Sequence, residues 1–253
     1  MPARLPLALA ACALVVLSSC GGGGGASGDG PRGDRSDATD RPTGCPEVGI
    51  VGLRGQAQSL QKHDGLGAEV DGIVRRMTAA LARDGVRDVQ VDAIRHRSRN
   101  TATLSVFEQD VAQGRTLLAR RLEQVERRCP TTRLAVVGFS QGAQIAHETL
   151  AARPDLARRV AVLVLVGSPR HDPAADVRKV DLPGATPTGH GSLGAGPSLG
   201  GLTGRTVDAC ITGDVVCSVP SGGARDYTTH KQAYERPAVS RLVARAAVAV
   251  LQR

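Results

Sequence analysis

Aromatic residues are almost absent from this 253-residue sequence, which has no Trp, two Phe and two Tyr. Because hydrophobic residues still amount to 41%, the core has to be built from Val, Leu, Ile and Ala. The scarcity also argues against a surface that binds polyaromatic or carbohydrate polymers, since such surfaces usually stack on Trp or Tyr. The length fits one α/β domain with appendages.

Blocks of consecutive basic residues are lacking too, although the formal net charge is +8 and Arg carries most of it. No basic stripe interleaved with aromatic residues is present, so the sequence predicts no nucleic-acid partner. A scattered excess of Arg indicates a solvated surface, with at most an attraction to anionic envelope polymers or lipid.

A hydrophobic run long enough for a membrane span is also missing at the N-terminus. The apolar run at residues 5–17 follows Arg4 and is shorter than the about 20 residues that a transmembrane helix needs. It ends in LSSC at residues 17–20, which resembles a bacterial lipobox. We therefore predict that residues 1–19 are a lipoprotein signal peptide and that Cys20 is lipidated. A plain secretory signal is the alternative, and both place the mature chain outside the cytoplasm.

Apolar residues are scarce in the next segment, GGGGGASGDGPRGDRSDATDRPTG, which cannot offset the entropy cost of ordering its backbone. We predict that residues 20–44 are the lipidated cysteine and a flexible Gly-rich tether. The tether would join a membrane anchor to a folded domain at residues 45–253, and this anchor is the only membrane contact that we expect.

Strand-like and helix-like segments alternate within the domain. Short apolar runs predict strands at residues 48–53, 88–95, 134–139 and 161–166, and apolar residues at helical spacing predict helices at 67–83, 108–128, 141–152 and 239–250. This alternation predicts a parallel sheet with helices on both faces, which binds ligands beyond the carboxyl ends of its strands. Residues 184–204 contain eight Gly and no period, and we predict a long surface loop there.

The segment GFSQG at residues 138–142 matches the motif G-x-S-x-G and lies between a predicted strand and a predicted helix. A sharp turn at this point would lift the Ser140 hydroxyl above the sheet edge. The helix that follows would direct its free N–H groups at the site, so the backbone N–H of Gln141 is a candidate oxyanion donor.

A serine nucleophile in this setting is followed in the chain by an acid and then by a histidine. Asp214, between Cys210 and Cys217, is the preferred acid, and Asp208 and Asp226 are its alternatives. Only His230 follows Asp214, in a polar stretch before the last predicted helix. Chain order or position on the helix after the serine disfavours the other histidines, which are His63, His96, His147, His171 and His190.

Together with RCPT at residues 128–131, the C-x-x-x-D-x-x-C segment and a tyrosine after His230, these motifs resemble the cutinase family of serine esterases. The resemblance extends from about residue 45 to the C-terminus. It implies a compact α/β-hydrolase fold with about five parallel strands and a catalytic triad of Ser140, Asp214 and His230. It also implies that Gln56, in the segment Arg54-Gly55-Gln56, supplies the second oxyanion donor.

Cysteine usage is consistent with an oxidising compartment. Cys12 is removed with the signal peptide and Cys20 takes lipid, which leaves four cysteines and three ways to pair them. Proximity in sequence favours a disulfide between Cys210 and Cys217. The resemblance implies the same disulfide and a second one, Cys45–Cys129. Zinc binding by two cysteine pairs is the alternative, but the spacing does not suit it.

These observations predict a monomeric esterase that hydrolyses an ester or lipid substrate through an acyl-enzyme, with no metal or organic cofactor. Two departures from the family pattern predict lower activity than is typical. Gln56 lacks the hydroxyl of the usual Ser or Thr, and His230-Lys-Gln-Ala-Tyr234 is one residue longer than His-x-x-Tyr. The alternatives are a catalytically weak surface lipoprotein that binds envelope lipid or glycan, and a phospholipase, thioesterase or acyltransferase on the same scaffold.

Overall fold

The computed structural model describes residues 43–219 and 226–253. The predicted signal peptide, the lipidation site Cys20 and the predicted tether up to residue 42 lie outside these residues. Within the two described ranges, no helix is both long and apolar enough to cross a membrane.

Six strands form a single parallel sheet in the order β2-β1-β3-β4-β6-β5. Their bounds are β1 Val48–Leu53, β2 Val89–Ala93, β3 Arg133–Phe139, β4 Val160–Val166, β5 Arg178–Lys179 and β6 Thr206–Ala209. The strands β1, β3 and β4 lie at the centre, and each consists almost entirely of buried apolar residues. Such continuous apolar runs are typical of parallel strands that are covered on both faces.

In the described residues, six helices cover the sheet. They are α1 Ala68–Arg83, α2 Leu104–Arg128, α3 Gln141–Ala152, α4 Pro154–Arg159, α5 Thr228–Gln232 and α6 Pro237–Leu251, and short 3₁₀ turns occur at His63–Gly65 and Gly200–Arg205. The apolar sides of α1 and α6 form one core with one face of the sheet, and those of α2 and α3 form a second core with the opposite face.

Alternation of side chains along the strands explains the two cores. In β3, Ala135 and Val137 belong to the core under α1 and α6, whereas Leu134 and Val136 belong to the core under α2 and α3. All four side chains are fully buried. The sheet therefore depends on aliphatic packing on both faces, as the scarcity of aromatic residues requires.

The four predicted strands and the four long predicted helices are all present, with ends that differ by a few residues. The sheet has six strands rather than five because β5, two residues long, extends one edge. The segment 184–204 is mainly loop, with a 3₁₀ turn beginning near its end. Its backbone is tied to the loops that follow β4 and β6 by hydrogen bonds from Gly191 N to His171 O (2.9 Å) and from Ser192 N to Val216 O (2.8 Å).

Candidate active site

Ser140 lies in a sharp turn between the end of β3 and the start of α3. Its backbone has φ 52° and ψ −116°, in the left-handed region that L-residues rarely adopt. The turn needs small neighbours. A Cβ on Gly142 would lie 2.2 Å from the carbonyl oxygen of Leu53, and one on Gly138 would lie 2.5 Å from the carbonyl oxygen of Gly142. Both glycines of the motif are therefore required for close backbone approach.

Ser140, His230 and Asp214, three residues singled out in the sequence, form one hydrogen-bonded line. The Nε2 atom of His230 lies 2.9 Å from Ser140 Oγ. Its Nδ1 lies 2.9 Å and 3.0 Å from the two carboxylate oxygens of Asp214. Because a carboxylate only accepts, Nδ1 carries the imidazole proton and Nε2 offers a lone pair to the serine hydroxyl. This arrangement can take a proton from the serine as it attacks an electrophile.

Asp214 is fully buried and is held by several donors. The backbone N–H of Val216 donates to Oδ1 at 2.8 Å, and the Tyr234 hydroxyl donates to Oδ2 at 2.7 Å. Burial raises the pKa of Asp214, but the hydrogen bond and charge of His230, with the bonds from Tyr234 and Val216, outweigh burial and hold that pKa below its ordinary value. The carboxylate therefore stays ionised beside the imidazole.

Tyr234 is completely buried behind Asp214, a contact that sequence analysis did not predict. Its hydroxyl oxygen accepts a hydrogen bond from the backbone N–H of Ile211 at 3.0 Å, while the hydroxyl hydrogen points to Asp214. Burial, followed by the charge of Asp214, raises the pKa of Tyr234 well above its ordinary value. The phenol therefore remains a donor. The tyrosine after the histidine was noted as part of a motif, and that motif was the only signal for its role.

Phe139 and Gly167 also shape the surroundings of His230, and neither was singled out in the sequence for this purpose. The Phe139 ring stacks on the imidazole with centroids 4.8 Å apart and an interplanar angle of 20°. Gly167, at the end of β4, has φ +54°, and a Cβ there would lie 3.1 Å from both Asp214 Oδ2 and His230 Cε1. The imidazole therefore stacks on an aromatic ring, and the backbone at Gly167 lies close to its Cε1.

Gln56 lies in the loop after β1, and its side chain turns away from any oxyanion role. Its Nε2 donates to the carbonyl oxygens of Thr101 (2.7 Å) and Arg99 (3.2 Å). The same loop is held by Ser98, whose hydroxyl donates to Gly55 O at 2.6 Å. The Gln56 side chain thus braces its own loop, and only its backbone N–H is left as the candidate oxyanion donor.

Gln141 is the other residue considered for the oxyanion. It is the first residue of α3, directly after Ser140, and its side chain is fully buried. Within the described ranges, neither polar atom of its side-chain amide has a hydrogen-bond partner. The backbone N–H at this first helical position is one of those that have no partner within an α-helix.

The two alternative acids are engaged elsewhere. Asp208, in β6, lies with its Oδ2 2.6 Å from Nδ1 of His171, and both side chains are buried. Asp226 is exposed, and its Oδ1 accepts from the backbone N–H of Thr228 at 2.9 Å. Asp214 is therefore the acid that contacts His230. The pair Asp208–His171 is a second buried acid–imidazole pair that the sequence did not predict.

Both implied disulfides are present, Cys45–Cys129 and Cys210–Cys217. The second closes the short loop that carries Asp214. Two disulfides fit a protein that resides outside the cytoplasm. In the ranges 43–219 and 226–253, no group of three or more His, Cys, Asp or Glu side chains is arranged to hold a metal ion.

Comparison with known proteins gives a consistent family match. The family model described as Cutinase matches residues 44–246. Carboxylesterase Culp1 of Mycobacterium tuberculosis is 25% identical over 190 residues, which cover 74% of this chain and 75% of that protein. A cutinase of Kineococcus radiotolerans is 29% identical over 135 residues, which cover 49% of this chain and 42% of that protein.

Two solved structures are similar in fold. A cutinase-like protein from Cryptococcus sp. has a TM-score of 0.66 and 21% identity, with 83% of this chain and 97% of that chain covered. The catalytic core domain of acetyl xylan esterase from Trichoderma reesei has a TM-score of 0.62 and 19% identity, with 82% and 98% covered. At these identities the likeness concerns the fold alone.

Proposed function

The chain belongs to the cutinase family and is a carboxylic ester hydrolase, and from that premise we propose that Ser140, His230 and Asp214 are its catalytic triad and act through an acyl-enzyme. The observation that carries the proposal is the continuous hydrogen-bonded line from Ser140 Oγ through His230 to a buried Asp214.

In the first half-reaction, Ser140 Oγ attacks the ester carbonyl carbon while its proton moves to His230 Nε2. Asp214 accepts the Nδ1–H and stabilises the imidazolium that forms. The backbone N–H groups of Gln56 and Gln141 bind the oxygen that becomes negative. His230 then gives its proton to the leaving alcohol, which departs and leaves the acyl-enzyme.

In the second half-reaction, His230 Nε2 takes a proton from water, whose oxygen attacks the acyl carbon. The tetrahedral intermediate is held by the same two N–H groups. It collapses when the proton returns to Ser140 Oγ, which releases the carboxylic acid and restores the resting enzyme.

For the substrate we propose an ester with an apolar part. Leu104 and Tyr227 are two of the exposed large hydrophobic residues among those described, with 59% and 42% of their surface accessible. Leu104 begins α2, three residues after Thr101, whose carbonyl accepts from Gln56. Tyr227 precedes His230 by three residues. One exposed apolar residue is therefore close in sequence to a residue that holds the oxyanion loop, and another is close in sequence to the general base.

Hydrolysis of p-nitrophenyl butyrate tests the assignment of the nucleophile. We expect Ser140→Ala to lower kcat by about 10⁴-fold or more. The matched control Ser198→Ala, an exposed serine in the Gly-rich loop, should leave kcat within about twofold. A fluorophosphonate probe should label the parent and Ser198→Ala but not Ser140→Ala. If Ser140→Ala retains activity, the nucleophile is wrong; if the folded parent is neither active nor labelled, a binding lipoprotein is the better description.

We also propose that Cys20 is lipidated and anchors the enzyme to the outside of a membrane. The proposal rests on the LSSC motif at residues 17–20 and is independent of the catalytic residues. Metabolic labelling with an alkyne fatty acid should tag the parent and not Cys20→Ala. Equal labelling of the two proteins would contradict lipidation at this position.

A further inference from the structure

A second candidate site is a groove between α1 and α6, which Ser140 does not line. The groove has a volume of about 500 Å³. Four arginines line it, Arg76, Arg83, Arg241 and Arg245, with Asp84 and Gln252 at one end. Its apolar lining includes the buried residues Ala244 and Val248. We call it the arginine groove.

Among the described residues that line the arginine groove, four carry positive charge and one, Asp84, carries negative charge. Across the described part of the chain, none of its four guanidinium groups lies within 4.0 Å of a carboxylate. The one acid in the lining, Asp84, accepts a hydrogen bond from Gln252 at 2.9 Å. Arg241 and Arg245 are four residues apart on α6, a spacing at which like charges repel. A bound anion would relieve this repulsion.

The groove runs along α1 and α6 and ends at the far edge of the sheet, which we define as the amino-terminal ends of the strands. Helix α1 connects the parallel strands β1 and β2, so it runs back from the carboxyl ends and finishes at this edge. The bond between Gln252 and Asp84 places the end of α6 beside the end of α1. Ser140, by contrast, follows the carboxyl end of β3.

The chain also enters the domain at the far edge. Residues 43–47 lead directly into β1, whose first residue is Val48. The segment that the sequence predicts to carry a lipid is therefore connected to the domain at the edge where the arginine groove ends. The site of hydrolysis is at the opposite edge of the sheet.

We propose that the arginine groove binds the phosphates of acidic phospholipid headgroups and holds the face formed by α1 and α6 against an anionic membrane. Guanidinium groups match phosphate oxygens in charge and in fork geometry. Clusters of basic residues near a bilayer are attracted by its acidic lipids. This contact adds to the predicted lipid anchor, which the sequence indicated as the only membrane contact.

Vesicle co-sedimentation tests the proposal with the full chain carrying Cys20→Ser, so that no acyl group is attached. Vesicles of phosphatidylcholine are compared with vesicles that also contain phosphatidylglycerol. The groove variant is R83Q/R241Q/R245Q. The matched control, R120Q/R127Q/R178Q, removes the same charge from exposed arginines, two on α2 and one on β5, and none of these lines the groove. Circular dichroism checks that all three proteins are folded.

Each basic residue near an acidic bilayer strengthens binding by about fivefold, so three substitutions set a ceiling of about 100-fold. We expect the parent to prefer phosphatidylglycerol vesicles, the groove variant to lose at least about tenfold of that binding, and the control to stay within about threefold. Equal loss in the control would show that net charge, not the groove, is responsible and would overturn the proposal. Release of the parent by soluble glycerol 3-phosphate at the same concentration as lipid phosphate would also overturn it, because the site would then bind free anions. Neither readout uses catalysis, so failure here leaves the proposed triad untouched.

Discussion

Replacing Tyr234 by Phe removes one hydroxyl and leaves the ring that packs against Phe139 and His230. That hydroxyl is a donor to Asp214 Oδ2 (2.7 Å) and an acceptor from Ile211 N (3.0 Å), and it also lies 3.4 Å from Cys217 Sγ in the short disulfide. The variant therefore tests whether Tyr234 positions the proposed catalytic acid or only fills space in the core.

Two effects on stability follow from these bonds. A hydrogen bond to a charged group contributes about 1.5–3 kcal/mol, and a buried N–H left without an acceptor costs about 1–3 kcal/mol. The two losses share one hydroxyl, so we expect the free energy of unfolding to fall by about 3 kcal/mol. For a domain of this size that corresponds to a decrease in Tm of roughly 6–12 °C.

The rate should fall as well, while substrate binding should not change. Asp214 keeps its bonds to His230 and Val216, so the full loss of about 10⁴-fold seen when a triad aspartate is disabled is an upper limit. If about 1.4 kcal/mol of the lost bond is felt by the imidazolium in the transition state, kcat falls about tenfold. We expect KM to remain within about twofold, because Tyr234 is completely buried and does not touch substrate.

The pH dependence of stability provides a readout that a space-filling role would not move. The folded pKa of Asp214 is lowered, so its contribution to stability is present above the unfolded pKa of about 3.9 and is lost as pH falls through the folded pKa. Without the hydrogen bond from Tyr234, the folded pKa of Asp214 rises. As pH is lowered, Tm should therefore begin to fall at a higher pH in the variant than in the parent.

The matched control is Tyr227→Phe, which removes the hydroxyl of the exposed tyrosine directly before α5 and keeps the apolar ring that we propose near the general base. Steady-state kinetics and thermal unfolding should find kcat within about twofold of the parent and an unchanged Tm. If Tyr234→Phe lowers Tm but leaves kcat and the decrease of Tm at low pH as they are in the parent, then Tyr234 only fills space in the core and does not position Asp214.

Three further predictions concern pH, backbone packing and the acid loop. Burial and a neighbouring guanidinium lower the pKa of His96 from 6.5 to about 4, so the free energy of unfolding should rise with pH between these values. In urea unfolding at pH 7 and 4.5, His96→Gln should reduce this rise by about 2–3 kcal/mol. The same rise in the parent and the variant would contradict this prediction. Gly142→Ala should lower the free energy of unfolding by about 3 kcal/mol or more or prevent folding. Gly201→Ala, with no atom within 4 Å of the new Cβ, should leave that free energy unchanged. Equal stability of the two variants would refute the close approach of Gly142 to the backbone of Leu53. Replacing Cys210 and Cys217 by Ala should lower the free energy of unfolding by about 2.5 kcal/mol and lower kcat at least about tenfold, because their loop carries the proposed acid. Removing the Cys45–Cys129 disulfide should lower the free energy of unfolding by about 4.5 kcal/mol and leave kcat within about twofold. The reverse pattern in kcat would refute the role of the short loop.

Hydrophobic pattern was sufficient to predict the central strands and the long helices, and insufficient for the short elements. The strand β6, Thr206–Ala209, has four residues and follows the Gly-rich loop. It is too short for an alternation of apolar and polar residues to be recognised. It is a strand because it pairs with β4, an interaction between residues about 40 apart in the sequence. The helices α4 and α5, with six and five residues, are likewise too short to show a period.

Chain order selected the residues that the structure brings together at Ser140, but it did not reveal the second acid–imidazole pair. Asp208 lies inside the sheet, in register with Leu165 of β4, and reaches His171 in the loop after that strand. Asp214 lies beyond the strand end, in the loop that the short disulfide closes. Which acid meets which histidine therefore depends on how far each extends past the sheet, and no local pattern encodes that distance.

The longer spacing between His230 and Tyr234 is compatible with the site for a reason that helix geometry supplies. Residues three and four apart in a helix lie on the same face. His230 lies in α5, and the turn that continues this helix brings Tyr234, four residues on, to the same side. Both side chains then reach one oxygen of Asp214, the imidazole at 2.9 Å and the phenol at 2.7 Å. An extra residue that seemed a departure thus preserves the contact, and the expectation of reduced activity now depends on Gln56 alone.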